Sequence, residues 1–134
     1  MPKSDGRLPM AVQQWLLKAK DDELNAESIL RHRDGTGSGV CFLSQQMAEK
    51  YLKAVILYKQ RQLPKIHSLD RLLEMCILSD HNLEVLKNDA VYLTVFYIET
   101  RYPADYREFS WSEAEAAIHA AQRIKQLCLE VIMQ

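Results

Sequence analysis

Residues that could do chemistry crowd into one stretch, YIETRYPADYREFSW, which spans residues 97–111. Within it, Arg101 precedes a proline turn, and aromatic residues lie on both sides of it. A guanidinium is a planar donor that binds phosphate through paired hydrogen bonds, and a nucleobase can stack on an aromatic ring. A structural interpretation competes, in which Arg101 caps the free carbonyls of a helix end and pairs with a carboxylate while the rings pack beneath the loop. The spacing alone favours the structural interpretation.

Two adjacent glutamines form a second unusual feature, because they lie in CFLSQQMAEKYLKA, which otherwise has the pattern of a core helix. Its apolar residues recur at intervals of three and four, so we expect a helix with one buried face. Gln45 and Gln46 flank this apolar stripe. Together with Glu49, Lys50 and Lys53 they fill the remaining arc, which would be an ordinary water-exposed face if the two glutamines did not flank the stripe.

Other catalytic and metal-binding signatures are absent from the sequence, which has no GxxxxGK[ST] loop, no GxGxxG, no CxxC and no HExxH. The histidines show no ligand spacing and are interpreted as capping or surface residues, so we expect no metal and no cofactor. The DGTGSG loop could cradle a phosphate, but it lacks the Lys and Ser/Thr that would follow, which favours a plain hairpin loop. Cys41, Cys76 and Cys128 lie on apolar stripes and are expected to be reduced core residues.

Length and composition indicate one globular domain over residues 1–134, since 48% of the residues are apolar and 26% are charged. No apolar run approaches the roughly 20 residues that a bilayer span needs, so we expect no membrane segment. The N-terminus has no apolar signal-peptide core, which predicts a cytoplasmic protein. The net charge of −1 gives no general attraction to nucleic acid, so any phosphate site must be local.

Helical periodicity predicts five helices and no strand. The expected helices run from near Pro9 to about Arg33, from the end of the loop at Gly39 to a stop at Pro64, from Ser68 to about Leu78, from about Leu83 to Arg101, and from a capping box of Ser112 and Glu115 to the C-terminus. Five such elements with short connections make an all-α, up-and-down bundle of four to five helices.

Four segments in order, WLLKAKDD, CFLSQQMAEKYLKAVI, IHSL and TRYP, make this chain resemble the HEPN domains, the nucleotide-binding domains named for higher eukaryotes and prokaryotes. The resemblance covers Trp15 to the end of the fifth helix, and QQMAEKYLKA is its most specific part. It implies a helical bundle, a homodimer formed across the helices that carry the polar motifs, and binding of a nucleotide or RNA. It also implies pairing with a small nucleotidyltransferase encoded beside it, often as a toxin–antitoxin system.

The resemblance gives the polar residues of the helices a role. Gln45 and Gln46 become interface or groove residues, and Asp22, which interrupts the apolar stripe of the first helix together with Glu23, becomes a candidate partner of Arg101. An isolated buried carboxylate would be unfavourable by several kcal/mol. The candidate cleft then comprises Arg101, Tyr102, Asp105, Tyr97, Asp22, Gln45, Gln46 and Lys50.

Many HEPN proteins resemble metal-independent ribonucleases that use an arginine, four to six residues, and then a histidine. Here Arg101 takes the arginine position, but the three places for the histidine are Tyr106, Arg107 and Glu108. Loss of a general acid or base lowers a rate by roughly a hundred- to ten-thousand-fold. We therefore expect a non-catalytic binding protein, with a divergent ribonuclease that uses Tyr106 or Glu108 as the alternative.

Overall fold

The computed structural model describes residues 8–99 and 108–134, and these residues form helices and no strand. The helices are α1 (Met10–His32), α2 (Gly37–Gln60), α3 (Leu69–Ser79), α4 (Lys87–Glu99) and α5 (Trp111–Ile132), with a 3₁₀ helix at His81–Leu86 before α4. The prediction of an all-α bundle of five helices is therefore confirmed.

The hairpin of α1 and α2 is set by local caps. Arg33 ends α1 in the left-handed conformation, at φ 58°, and its N–H donates to the carbonyl of Ile29. The Thr36 hydroxyl then accepts a hydrogen bond of 2.9 Å from the N–H of Gly39, so α2 begins at Gly37, inside the glycine segment predicted to be loop. At its other end α2 stops at Gln60, before Pro64, because Arg61 adopts φ 60°.

The predicted starts of the last two helices were wrong. Leu83 lies in the 3₁₀ helix, which the Asp80 side chain caps by accepting from the N–H of Asn82, and α4 begins only at Lys87. The capping box of α5 uses Ser110 and Glu113, slightly upstream of the predicted pair Ser112 and Glu115. Both pairs have the same spacing, and the upstream pair prevails because Trp111 is already helical and packs against the core.

The second helix is the centre of the bundle, since it contacts α1, α3, α4 and α5. Apolar side chains from all five helices form one continuous core around it. Cys41, Cys76 and Cys128 are free and buried in this core, as predicted. Burial raises the pKa of the Cys76 thiol to about 12, so this thiol is uncharged at neutral pH.

A close backbone contact joins the start of α2 to the segment that enters α5. A Cβ atom built on Gly37 would lie 2.4 Å from the carbonyl oxygen of Phe109, so only glycine fits there. Next to it, the N–H of Phe109 donates to the Ser38 hydroxyl over 3.0 Å. The glycine segment thus closes the bundle at this end, which supports the interpretation of a hairpin loop over a phosphate cradle.

Candidate functional site

The predicted cleft residues fall into three groups. Arg101, Tyr102 and Asp105 lie outside the described residues, so their positions stay predictions. Tyr97 is half-buried on α4. The remaining four lie on the two helices of the first hairpin, Asp22 on α1 and Gln45, Gln46 and Lys50 on α2.

Asp22 pairs with Lys50 across the two helices: the lysine Nζ donates to Oδ2 at 2.5 Å, and both side chains are half-buried. The structure therefore brings together two of the predicted site residues. Asp22 already has a cation partner in Lys50, so it does not need Arg101 to avoid an isolated charge. An additional contact between Asp22 and Arg101 stays a prediction.

Glu23, the second carboxylate that interrupts the apolar stripe of α1, binds two side chains of α5. Its oxygens accept from Lys125 Nζ at 2.8 and 3.1 Å, and Gln122 Nε2 lies 3.3 Å away. Burial on its own would raise the pKa of Glu23, but the hydrogen bonds of Lys125 and Gln122 and the charges of Lys125 and Lys20 lower the pKa below its ordinary value. This carboxylate is therefore charged and serves the fold.

The two glutamines that motivated the interface prediction contact each other. Nε2 of Gln46 donates to Oε1 of Gln45 over 2.7 Å. Only 1% of Gln45 is exposed, so its side chain belongs to the core of its own protomer. A groove or interface position stays a prediction for Gln46, which is half-buried.

A second polar cluster joins α2 to the connector before α3. Lys53 Nζ lies 2.7 Å from Oε2 of Glu49, and Nδ1 of His67 lies 2.9 Å from the same oxygen and 3.3 Å from that Nζ. Glu49 and Lys53 are both buried, so this arc of α2 is not an ordinary water-exposed face. These residues are buried because α2 lies at the centre of the bundle, where other parts of the chain also cover the side that carries its polar residues.

One sequence signal could have revealed this cluster. Gln45, Glu49 and Lys53 are spaced by four residues, so they form a row along one side of α2. All three are buried. A polar row of this kind on a helix with apolar residues on its other sides indicates buried hydrogen-bond partners elsewhere in the chain. The sequence does not identify His67 as that partner, because the two segments meet only through the fold.

The cluster presents a chemically useful arrangement. The His67 side chain is 62% exposed, while the carboxylate that contacts its Nδ1 is buried. A buried carboxylate of this kind fixes the orientation of an imidazole and leaves its other nitrogen toward solvent. Oε1 of Glu49 is buried and has no hydrogen-bond partner among the described residues. The pair therefore has the geometry of a carboxylate–histidine dyad.

Two cations lie beside an aromatic ring next to this dyad. Nζ of Lys53 is 5.4 Å and Nζ of Lys18 is 5.6 Å from the centroid of the Trp15 ring. Ammonium groups at this distance are attracted to the ring electrons. Trp15 is half-buried, whereas Lys18 is exposed at the surface of α1. The crossing of α1 and α2 thus combines cations, an aromatic ring and an oriented imidazole.

Residues 8–99 and 108–134 contain neither a metal-binding cluster nor a membrane-spanning helix. Within these ranges, the histidines, cysteines and carboxylates form no group of three or more that could hold a metal ion. No helix in the same ranges has the length and apolar character needed to cross a membrane.

Comparison with known proteins identifies the fold family. The family model of the HEPN domain matches residues 12–131. The solved structure of TT1696 from Thermus thermophilus is similar at 30% sequence identity and a TM-score of 0.72, over 90% of this chain and 97% of that one. The structure of ST0689, an archaeal HEPN homologue, is similar at 25% identity and a TM-score of 0.71, with the same 90% and 97% coverage. No curated protein matches the chain. With a family model that spans nearly all of its five helices, the chain belongs to the HEPN domain family.

Proposed function

We propose that this chain is a non-catalytic HEPN protein, a homodimer that binds a nucleotide, pairs with a small nucleotidyltransferase in a toxin–antitoxin-like module, or does both. One observation carries the non-catalytic part of the proposal. After Arg101, the positions where the ribonucleases of this pattern have their histidine hold Tyr106, Arg107 and Glu108. The arginine of the motif is present and its proton carrier is absent.

The chemistry of RNA cleavage explains why this matters. The reaction removes a proton from a 2′ hydroxyl and delivers one to the leaving oxygen, while negative charge grows on the phosphate. An arginine stabilises that charge and orients the phosphate. Without a general acid or base, the rate falls by roughly a hundred- to ten-thousand-fold. A site with Arg101 and no histidine should therefore hold an anion without cleaving it.

The hairpin of α1 and α2 supports binding of a nucleotide. The exposed Lys18 lies beside the half-buried Trp15 ring, and Lys50 is half-buried on α2. Cations that track phosphate and rings that stack on bases are the two components of sites for single-stranded nucleic acid. Because the net charge is −1, the chain as a whole does not attract nucleic acid, so binding of a nucleotide requires such a local site.

An NMR titration tests the nucleotide site. Adenosine monophosphate should shift the backbone amide signals of residues that flank Arg101, and the shifts should be lost in Arg101→Ala. Arg71→Ala, which removes an exposed arginine from α3, is the matched control and should keep them. Adenosine without phosphate should give much smaller shifts. Equal shifts in wild type and Arg101→Ala, or none at millimolar nucleotide, would contradict the proposal.

The partner needs a separate test. We expect the small nucleotidyltransferase encoded beside this chain to co-purify with it when the two are expressed together, and the tagged chain should recover it in a fixed ratio. Failure of the two proteins to co-purify would contradict the pairing and leave nucleotide binding standing.

A specific observation favours a second candidate, a divergent metal-independent ribonuclease. The exposed His67 ring is oriented by the buried carboxylate of Glu49, which is the arrangement of a general base. If this imidazole moves the proton in RNA cleavage, then activity of the purified chain should disappear in His67→Ala. His81→Ala, which removes another exposed histidine, should retain it. An inactive wild-type chain would reject this candidate.

A further inference from the structure

The outer face of α1 carries a row of exposed apolar side chains. Met10, Leu17 and Leu24 are 67%, 66% and 51% exposed, and they are separated by seven residues each. Seven residues are close to two helical turns, so the three side chains lie in one line along the helix. They point away from Val12, Ala19 and Ala26, which form the buried face of the same helix. A repeat of seven is the spacing at which helices pair side by side.

An apolar groove extends this row. It has a volume of about 460 Å³ and is lined by Leu8, Gln13, Leu16, Leu17 and Met133. The apolar surface therefore continues from α1 to the C-terminal end of α5. Contiguous exposed apolar surface of this kind is typical of sites of protein association.

We infer that a second copy of this chain covers the row, with α1 packed against α1 of the partner and Leu17 near the two-fold axis. This inference rests on the proposed homodimer and assigns its interface. Because Leu17 is midway between Met10 and Leu24, a copy turned about an axis at Leu17 sets apolar side chains against apolar side chains along the whole row. Such a surface is self-complementary, which a two-fold interface requires.

The charges beside the row also suit a second copy. Lys20 and Asp21 are exposed and flank Leu17 with opposite signs. Their charges cancel, so two copies of this face approach one another without net repulsion. Gln13 and Gln14 supply uncharged polar neighbours on the preceding turn. The interface has the expected form of an apolar centre with a polar rim.

A second surface with exposed apolar residues does not suit self-association. It is a groove of about 250 Å³ between α3 and α4, lined by Asp70, Leu73, Glu74, Ile77, Lys87 and Val91. Two carboxylates against one ammonium give it an excess of negative charge. Two copies of this groove would repel each other, so this surface serves as the control.

Gln45, one of the two glutamines expected at the interface, is not free to form it. It is buried within the protomer at 1% exposure, as is Tyr51 on the same helix at 2%. Pairing through them would require α2 to leave the centre of its own core. The exposed apolar row on α1 can contact a second copy while every helix keeps its place in the protomer.

Light scattering of wild type, Leu17→Asp and Leu78→Asp tests the inference. Leu78 is 80% exposed beside the α3–α4 groove, so its variant is the matched control. We expect wild type and Leu78→Asp at about twice 15.5 kDa and Leu17→Asp at 15.5 kDa, with the same circular dichroism for all three. A monomeric wild type would overturn the homodimer itself. A dimer that persists in Leu17→Asp would overturn the α1 interface alone.

Cross-linking gives an independent measurement, because it detects the interface without disrupting the dimer. The three native cysteines are buried, so an engineered surface cysteine forms the accessible thiol. Across a two-fold axis, the Leu17→Cys variant should form an intermolecular disulfide on mild oxidation, because paired Cβ atoms there approach within bonding range. Leu78→Cys should form no intermolecular disulfide under the same conditions. Equal cross-linking of the two variants, or none in Leu17→Cys, would overturn the α1 interface.

Discussion

Nδ1 of His67 lies 2.9 Å from Oε2 of Glu49, and the same oxygen lies 2.7 Å from Nζ of Lys53. One buried carboxylate oxygen thus serves both a lysine four residues further along its helix and a histidine on the connector to α3. The contact attaches that connector to α2. It also orients an exposed imidazole next to the Trp15 ring and its two lysines.

Glu49→Gln should destabilise the fold by about 3 to 5 kcal/mol, because it leaves the Lys53 ammonium buried without its counter-charge. Urea denaturation gives the free energy of unfolding of the variant and of wild type. Asp89→Asn is the matched control, since it removes a carboxylate whose partner Arg123 is largely exposed. The control should cost under about 1 kcal/mol. Similar losses in the two variants would show that burial of the Glu49 pair contributes little.

Gly37→Ala should destabilise the chain by about 1 to 3 kcal/mol, because its Cβ would lie 2.4 Å from the carbonyl oxygen of Phe109. Gly39→Ala, two residues on in the same helix, places its Cβ 3.3 Å from the Thr36 hydroxyl oxygen and is the control. There the gain in helix propensity should offset most of the crowding. Thermal unfolding compares the two. Equal melting temperatures would show that the segment before α5 shifts freely.

The sequence predicts the helices of this fold well and the environment of α2 less well. Intervals of three and four apolar residues identify the five helices, because periodicity reflects one buried face. The same rule places Glu49 and Lys53 in water, since it assumes that the opposite face is exposed. That assumption fails for a helix contacted by four others.

The residue at which a helix ends is harder to predict from sequence, because it depends on the backbone conformation of a single residue. Arg61 ends α2 at φ 60°, a conformation that its residue type does not signal. Ser110 and Ser112 each have a glutamate three residues later, so the spacing alone does not choose between two capping boxes. In the candidate site, Asp22 and Lys50 were both predicted, but their pairing with each other depends on the crossing of two helices.

The stability contributed by Glu23 should depend on pH. Its pKa in the folded chain is lowered from 4.5, so its ionised form is favoured by folding. The contribution is therefore complete above the pKa of the unfolded chain and is lost as the pH falls through the folded pKa. Glu23→Gln should cost about 1 to 3 kcal/mol at pH 7 and progressively less below pH 4.5. Glu130→Gln, at an exposed site on α5, should show no such dependence.

Denaturation of wild type and Glu23→Gln at a series of pH values checks this expectation. The difference in the free energy of unfolding should shrink in acid. A difference that stays constant from pH 7 to pH 3 would show that the loss comes from altered packing with Lys125 and Gln122 and not from the charge of Glu23.

Incubation of the purified wild-type chain with single-stranded RNA tests whether the protein is non-catalytic. Because none of Tyr106, Arg107 and Glu108 is a histidine, we expect intact RNA after hours without metal. Tyr106→His, assayed in parallel, should introduce measurable cleavage by supplying an imidazole at the shortest spacing from Arg101. Rapid cleavage by the wild-type chain, abolished in Arg101→Ala, would contradict the non-catalytic function and identify the protein as a ribonuclease.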